Sequence, residues 1–483
     1  MKTITPFLPH LSGHLFGRPP RSAQLRIQEE LERIRGTSLG NLTGLFGKYT
    51  SEKYLAPANK GKGSRRRMFS THTTFWAFFA QVLTINGSCR EALRKLQAWQ
   101  AAQGLPVADS NTSAYCQARE RLDGDNLRDM HTYVATEVQR RTTTSQVTFG
   151  RPVKVIDGTG LSMPDTAANQ KEWPQTKAQK PGCGFPQAKL VGMFSLENGV
   201  LIDWAEGNKH DSEQTLFRKL WKHFAPNDIF LGDTAFGSYA AIATLQQRGV
   251  DSVTPIHQSR KFNFRQGKKL GTRDRLVTWQ KPVYPKPGWS KTEWQKIPDT
   301  LIVRIVEIKV HQKGFRVQKY VLSTTLIDPK EWPAKRLGEL YFRRWSVELF
   351  FRDIKTTMGM DILRCRTPEM VRKEIIMHAI AYNCIRGLMQ HAAILYDISI
   401  ERISFKGTSD TLRQWADAFN IHAGKPRKQA QMLDALLAII AEDTLPYRPD
   451  RSEPRAKKRR PKPYQLLTKP RHEMVVSASR RRS

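Results

Sequence analysis

The hydrophobic periodicity of the chain changes at Val153, and this change constrains the fold more than any other feature of the sequence. From Ser22 to about Arg141, apolar residues recur at helical spacing, and several segments open on Ser, Thr, Asp or Asn, the residues that cap helices. After Val153, short β-rich runs such as VKVID, AKLVGMFSL and DIFLGD appear between helical segments. A helical region therefore precedes an α/β region.

The order of the predicted elements after Val153 indicates the kind of sheet. Glu197-Asn198-Gly199 separates two of the runs as a hairpin turn, and helices that begin at Ser212 and Ser238 connect the later strands. The order is three strands, then helix, strand, helix and strand. A hairpin beside strands joined by crossover helices is typical of a mixed α/β sheet.

A further block of strands interrupts this alternation. LVTWQKP, TLIVRIVEIKV and FRVQKYVLSTTL read as strands between turns rich in Gly, Pro and Lys, and helix resumes after them. After about Asp443 the sequence is rich in Pro and Arg and poor in apolar residues, which predicts disorder until a partner binds. The predicted segments are a helical domain (1–150), the first part of an α/β core (151–257), a β insertion (258–329), the helical continuation of the core (330–400), and a C-terminal helical segment with a basic tail (401–483).

The charge balance indicates a polyanionic partner. The 483 residues carry a formal net charge of +35, and so many uncompensated cations repel one another unless a polyanion neutralises them. Basic runs occur at Arg65 to Arg67, in RKFNFRQGKKLGTRDR and at Lys457 to Arg460. We therefore expect nucleic acid as the partner, with the N-terminal helices in contact with DNA; a plain helical bundle with a basic rim is the alternative.

The sequence argues against a membrane protein. Its longest apolar candidate, IIMHAIAYNCI, contains His378 and Asn383 and reads as a buried helix rather than a membrane span. The start lacks the apolar segment and cleavage site of a secretory signal, and the five cysteines form no CxxC pair. These features predict a protein of the reducing cytoplasm.

One helical segment, YFRRWSVELFFRDIK, combines charged and aromatic residues at regular spacing. At about 100° per residue, Arg344 and Glu348 fall within roughly 60° of Tyr341, and so does Lys355. This arrangement can present a carboxylate, flanked by cations, to a phosphodiester; ordinary surface ion pairs on a solvated helix face are the alternative. The opposite side is apolar and holds Val347, Phe350, Phe351, Ile354 and Met358.

Two aspartates accompany this glutamate. Asp157 is predicted to close the strand VKVID and Asp233 the strand DIFLGD, and carboxylates at the ends of neighbouring strands converge on one crevice. With Glu348 they form a set of three acids that a hard cation such as Mg²⁺ would neutralise. Two such ions roughly 4 Å apart would support phosphodiester hydrolysis or strand transfer. Taken singly, either aspartate is more commonly the cap of a turn or helix.

These residues carry a resemblance to a known family. VIDGTGLSMPDT, LGDTAFGSY and YFRRWSVELFFRDIK resemble the three DDE blocks of bacterial insertion-sequence transposases of the IS-four family, whose third block reads Y-x2-R-x3-E-x6-K. The resemblance spans about Val153 to Ile394. It implies an α/β fold: an RNase H-like mixed-sheet core with a β-strand insertion, preceded by a helical domain and followed by helices and a basic disordered tail. Ala235 stands where many relatives have glycine, which puts the local turn in question.

The resemblance also implies roles for the matched residues. Asp157, Asp233 and Glu348 would be the catalytic metal ligands, holding two Mg²⁺ ions for which Mn²⁺ can substitute. The other matched residues of the third block, Tyr341, Arg344 and Lys355, would contact the phosphates of the transposon ends. The implied reaction is cut and paste, in which one strand is nicked, its 3′ hydroxyl attacks the other strand to form a hairpin, and the reopened end joins target DNA.

Related enzymes stack an aromatic residue of the β insertion on a flipped base at the hairpin step. Tyr320 is the best-placed candidate by its strand context, and Trp279, Trp289 and Trp294 are rivals. Such stacking would contribute about 1 to 3 kcal/mol. Packing is the alternative for each of these rings.

The partners that follow are double-stranded DNA, as inverted-repeat ends and as target, and a second copy of the chain in a synaptic homodimer. The expected location is the bacterial cytoplasm, at the nucleoid. The alternatives are a metal-dependent nuclease that does not join strands, an inactive transposase-derived regulator that binds DNA, and a basic protein of membrane surfaces or RNA.

Overall fold

The computed structural model describes residues 45–46, 49–56, 68–102, 104, 106–143, 146–257, 260, 262–285, 288–310, 318–421, 426–446, 466–470 and 473–474. The chain divides into two compact units. The helical unit comprises Met1–Thr142, Arg352–Met360 and Glu369–Leu445. The sheet unit comprises Thr143–Phe351, Asp361–Pro368 and Pro446–Ser483.

The described helices number thirteen α-helices and several shorter turns. In chain order they are α1 (Thr71–Leu83), α2 (Cys89–Ala102), α3 (Ser113–Arg121), α4 (Gly124–Arg140), α5 (Ala167–Glu172), α6 (Glu213–Leu220), α7 (Tyr239–Gln247), α8 (Lys291–Gln295), α9 (Ala334–Phe342), α10 (Ser346–Arg352), α11 (Pro368–Leu395), α12 (Phe405–Ile421) and α13 (Pro426–Glu442). The described strands are β1 (Val153–Ser162), β2 (Gln187–Ser195), β3 (Leu201–Asn208), β4 (Ile229–Gly232), β5 (Asp251–Pro255), β6 (Lys268–Gly271), β7 (Asp274–Gln280), β8 (Thr300–Val310) and β9 (Gln318–Thr324).

In the helical unit, residues from the N-terminal part of the chain contact α11. Tyr49 donates a hydrogen bond from its hydroxyl to the carbonyl of Gly387 in α11 at 2.7 Å, and a Cβ on Gly387 would lie 2.9 Å from the Tyr49 ring. The apolar segment around His378 and Asn383 is buried in α11, as its composition predicted. Asn383 contacts His131 of α4 at 3.2 Å. The later helices therefore fold with the N-terminal ones, whereas the five-segment division stays a prediction about domains.

The sheet has nine strands in the order β3-β2-β1-β4-β5-β9-β8-β7-β6. β1 pairs antiparallel with β2, and β2 with β3, while β4 and β5 extend the sheet in parallel from β1. The turn between β2 and β3 ends at Gly199, whose φ of 71° is readily adopted only by glycine. This order, with α6 and α7 as crossover connections, is the RNase H-like arrangement and confirms the predicted fold class.

The β insertion continues the core sheet. β9 pairs antiparallel with β5, and β8, β7 and β6 follow it outward. A buried ion pair links two of these strands, since Arg304 lies 2.6 Å from Asp274, and Arg304 also donates to the carbonyl of Trp332. Three of these four strands were predicted from the sequence, whereas β6 and the position of the insertion beside β5 were not.

The segment that carries the third sequence block is not one regular helix. α9 ends at Phe342, Arg343–Trp345 form a 3₁₀ turn, α10 follows, and Asp353–Thr357 form a π-helical turn. The tightened turn coincides with Arg343, whose guanidinium donates to Thr148 Oγ1 at 3.1 Å. The segment therefore does not keep the constant rotation of about 100° per residue that the sequence analysis assumed, because turns of 3₁₀ and π geometry rotate side chains by different angles from α-helix.

No helix in the described part of the chain is long and apolar enough to span a membrane.

Candidate active site

The register of the sheet places Asp157 and Asp233 side by side. β1 and β4 run parallel, and their last paired residues are Ile156 and Gly232. Asp157 and Asp233 are the next residues on these neighbouring strands. Asp157 does not close its strand, as the sequence suggested, because β1 continues to Ser162 along β2. Asp157 is instead the first residue of β1 after its pairing with β4 ends.

Both aspartates face the same side of the sheet. Ile156 and Phe230 belong to the apolar cluster that α6 and α7 cover on one face. Because side chains alternate between faces along a strand, Asp157 and Asp233 point to the other face. The sheet therefore separates a packed apolar side from a side that carries two carboxylates.

Local hydrogen bonds orient the two carboxylates. Asp157 Oδ1 accepts from the backbone N–H of Gly158 at 2.8 Å. Asp233 Oδ1 accepts from the N–H of Ala235, also at 2.8 Å. Ala235 does not adopt a positive φ, so the turn after Asp233 does not require the glycine found in many relatives.

Electrostatics bring Glu348 into the same site. The pKa of Asp157 is raised to about 6, mainly by burial; the carboxylates of Asp233 and Glu348 add to this rise, while the Gly158 N–H and Arg344 oppose it. Glu348 lies in the first turn of α10 and pairs with Arg344 at 3.7 Å. Glu348 and Arg344 therefore lie close enough to Asp157 to affect its ionisation.

A glycine on β2 makes room for the helix that carries Glu348. Gly192 lies directly across from Asp157 in the β1–β2 pair. A Cβ atom on Gly192 would lie 3.0 Å from Phe351 Cζ and 3.0 Å from Phe194 Cε2. The rings of Phe194 and Phe351 meet edge to face at 5.1 Å. The buried side of α10 thus rests beside Asp157, and the apolar stripe predicted for this segment is confirmed by the burial of Val347, Phe350, Phe351, Ile354 and Met358.

The donor atoms of this site suit a hard divalent cation, since all three acids offer carboxylate oxygens. The raised pKa of Asp157 reflects burial and negative charge that a cation would compensate. Within the described residues, however, no three His, Cys, Asp or Glu side chains stand close enough together to hold an ion. Glu348 is directed to Arg344 instead, with 42% of its side chain exposed.

Tyr341 and Tyr320 form an aromatic pair. Their ring centroids lie 5.5 Å apart, Tyr341 is only 7% exposed and Tyr320 is half-buried. Burial raises the pKa of Tyr341, and Arg344, which lies 5.9 Å from its ring, opposes this shift. Tyr341 is therefore not part of an open helix face, although it lies beside the cation of the site.

The three tryptophans that rivalled Tyr320 are packing residues. Trp279 and Trp294 are buried in an apolar cluster of the insertion, and Trp289 is partly buried against it. The Arg260 guanidinium covers the Trp279 ring at 3.8 Å, and the Arg218 guanidinium covers Trp289 at 4.0 Å.

Lys355 lies in the π-helical turn Asp353–Thr357, which belongs to the helical unit. Its contact with phosphate stays a prediction. The basic runs at Arg65 to Arg67 and Lys457 to Arg460 lie outside the described residues.

Sequence reasoning missed Glu197, which anchors the start of β1 near the third block. It accepts from the N–H of Val153 at 2.7 Å and from Ser195 Oγ at 2.7 Å. Burial raises the pKa of Glu197, while these hydrogen bonds and the Arg343 guanidinium lower it. Its position in a hairpin turn gave no signal of this role, because Val153 and Arg343 are distant from it in sequence.

The chain is similar to known transposases. The transposase DDE domain family matches residues 148–384. Transposase InsG for insertion sequence element IS4, from Escherichia coli (strain K12), is 25% identical over 453 residues, which cover 92% of this chain and 99% of InsG. The transposase for insertion sequence element IS421 of Escherichia coli is 30% identical over 71 residues, 15% of this chain and 19% of that protein. Among solved structures, a piggyBac transposase synaptic complex with hairpin DNA shares 10% identity at a TM-score of 0.38, with 81% of each chain covered.

The family match covers the sheet unit from before β1 into α11, and the likeness to InsG extends over nearly the whole chain. The three acidic blocks found in the sequence fall inside the matched region. These matches support a DDE transposase of the IS4 (IS-four) type.

Proposed function

We propose that this protein is the transposase of an insertion sequence, which cuts the element from DNA and joins it to a target by metal-dependent phosphodiester hydrolysis and strand transfer. The observation that carries this proposal is that Asp157 and Asp233 directly follow the last paired residues of β1 and β4, with Glu348 close enough to affect the ionisation of Asp157. Such a cluster of carboxylates suits chemistry on a phosphodiester that requires a divalent cation.

Asp157, Asp233 and Glu348 are the proposed ligands of two Mg²⁺ ions, with Mn²⁺ as a substitute. DDE transposases in general use a divalent metal. The metal, when bound, activates the attacking oxygen and stabilises the leaving oxygen. Glu348 would turn from Arg344 to join the two aspartates, since 42% of its side chain is exposed and its ion pair is long at 3.7 Å.

Arg344, Tyr341 and Lys355 are the proposed contacts to the phosphates of the transposon end. Arg344 is suited to this role because its guanidinium lies beside both Glu348 and Tyr341. Tyr320 is the proposed ring for a flipped base at the hairpin step. Its half-exposed ring lies against Tyr341, which would keep the stacking surface close to the proposed phosphate contacts.

The proposed partners are the inverted-repeat ends and the target DNA, bound by a homodimer in the bacterial cytoplasm at the nucleoid. The net charge of +35 supports a nucleic-acid partner. Residues 1–150 are the proposed DNA-binding domain, with the later segments divided as the sequence predicted.

The test uses purified protein, Mg²⁺ and DNA that carries the ends of the element. The wild type is expected to nick, form hairpins and join the ends to a plasmid, whereas Asp157→Asn, Asp233→Asn and Glu348→Gln are expected to lose nicking by at least about a thousandfold while still binding the ends. Asp299→Asn is the matched control, because that side chain is 94% exposed.

Nicking that survives in Asp157→Asn or Glu348→Gln would refute the assignment of the site. Cleavage without any joining would identify a nuclease. End binding without cleavage by the wild type would identify a regulator.

A further inference from the structure

We propose that Gln214 is a positioning residue for Asp233, acting through the backbone of Ala235. This inference rests on the proposed function, in which Asp233 binds the metal. Gln214 lies in the first turn of α6, on the face of the sheet opposite the carboxylates. Gln214 lies outside the three sequence blocks that contain the acids.

Two hydrogen bonds connect Gln214 to Asp233. Gln214 Nε2 donates to the carbonyl oxygen of Ala235 at 3.0 Å. The N–H of Ala235 in turn donates to Asp233 Oδ1 at 2.8 Å. The backbone of Ala235 therefore accepts a hydrogen bond from the Gln214 amide and donates one to the Asp233 carboxylate.

The helix that carries Gln214 is firmly seated. Leu216, Phe217 and Leu220 are each about 1% exposed in the apolar cluster beneath α6. The turn that it holds is less buried, since Asp233, Thr234 and Ala235 are all partly exposed. The amide thus links a rigid helix to a turn that has little packing of its own.

The same helical turn also borders the other aspartate strand. A Cβ atom on Gly158 would lie 2.8 Å from Glu213 Oε1, so the Glu213 carboxyl rests against the backbone next to Asp157. The first turn of α6 consequently touches the residue after Asp157 and the second residue after Asp233. It is placed to fix the spacing of the two carboxylates from behind the sheet.

The physical effect of losing the amide is a freer turn. Without the Gln214 donor, the Ala235 carbonyl would hydrogen-bond to water. The turn could then move more, and the Ala235 N–H would restrict the orientation of the Asp233 carboxylate less. Partners that orient metal ligands typically contribute about 10- to 100-fold in metal affinity or activity.

The test compares Gln214→Met, which keeps the length of the side chain but removes the donor, with Gln214→Ala. The matched control is Gln247→Met in α7, where the amide also donates to a backbone carbonyl, that of Lys296 at 3.2 Å, away from the aspartates. Mn²⁺ binding is measured by electron paramagnetic resonance on DNA-free protein. Nicking is measured at saturating and limiting DNA, and folding by thermal melting.

Both Gln214 variants are expected to bind Mn²⁺ about tenfold more weakly and to nick with a kcat about tenfold lower, with KM for DNA within about twofold of wild type. The Gln247 variant is expected to match the wild type in Mn²⁺ affinity and in the kcat of nicking. Gln214 variants that behave like the control overturn the inference, and so does an equal loss of DNA binding, which would mark general damage. Wild-type inactivity, or activity of Asp233→Asn, would instead refute the proposed function.

Discussion

Ionising a partly buried carboxyl group beside two others is unfavourable, and Asp157 is in this position. Burial is the main cause of its raised pKa, and Asp233 and Glu348 add to it. The sequence predicted these three residues because their types and strand contexts are local features. It could not predict the partial burial of Asp157, which depends on the helix that covers its face of the sheet.

The first prediction concerns the stability of the metal-free protein. The pKa of Asp157 is about 6 in the folded state, against about 3.9 for an unfolded chain. The folded state therefore holds the proton more tightly, so Asp157 destabilises the fold as pH rises from about 4 through about 6. Asp157→Asn is expected to raise the free energy of unfolding by about 3 kcal/mol near pH 7.5 and by less than about 1 kcal/mol near pH 4.

The measurement is urea denaturation in EDTA at the two pH values, with Asp299→Asn as the control for loss of an exposed carboxylate. Equal stability of wild type and Asp157→Asn near neutral pH would contradict the prediction.

At the scale of elements, the third block shows what periodicity can and cannot predict. The apolar stripe from Val347 to Met358 is buried as its spacing predicted. Tyr341 precedes the 3₁₀ turn and is buried against Tyr320, so it is not presented with Glu348 on one regular face. The difference arises because Arg343 finds its partners in other elements, and no local pattern encodes them.

The second prediction tests whether Gly192 of β2 makes room for α10. Gly192→Ala is expected to push Phe351 away, to cost about 1 to 3 kcal/mol of stability, and to lower nicking because Glu348 moves with its helix. Gly160→Ala is the control, since a Cβ there would meet nothing closer than the Ala188 carbonyl at 4.0 Å.

Thermal melting and nicking rates on the same preparations measure both effects. If Gly192→Ala and Gly160→Ala prove equally stable and equally active, the seating role of Gly192 is wrong.

At the scale of the whole molecule, positive charge is spread along the chain, and part of it lies in the C-terminal tail beyond the described helices. The third prediction is that truncation at about Pro449 lowers the salt dependence of DNA binding, because each phosphate contact contributes roughly 0.9 to the slope of log K against log salt. Fluorescence anisotropy over a series of salt concentrations measures this slope.

A full-length variant with Lys457 to Arg460 changed to glutamine is the matched comparison, because it removes charge without shortening the chain. A slope that is the same for truncated and full-length protein would show that the tail does not contact DNA.

The sequence by itself predicted a mixed α/β sheet, three candidate acids and an insertion of strands, because β-rich runs, helical spacing and residue type are local properties of the chain. Only the tertiary structure decided that β9 pairs with β5, that Gly192 admits Phe351, and that Gln214 holds the turn after Asp233. Each of these depends on contacts between residues far apart in sequence, whose energies no local pattern records. The three candidate carboxylates could therefore be predicted from the sequence, whereas the contacts of Gly192 and Gln214 near them could not.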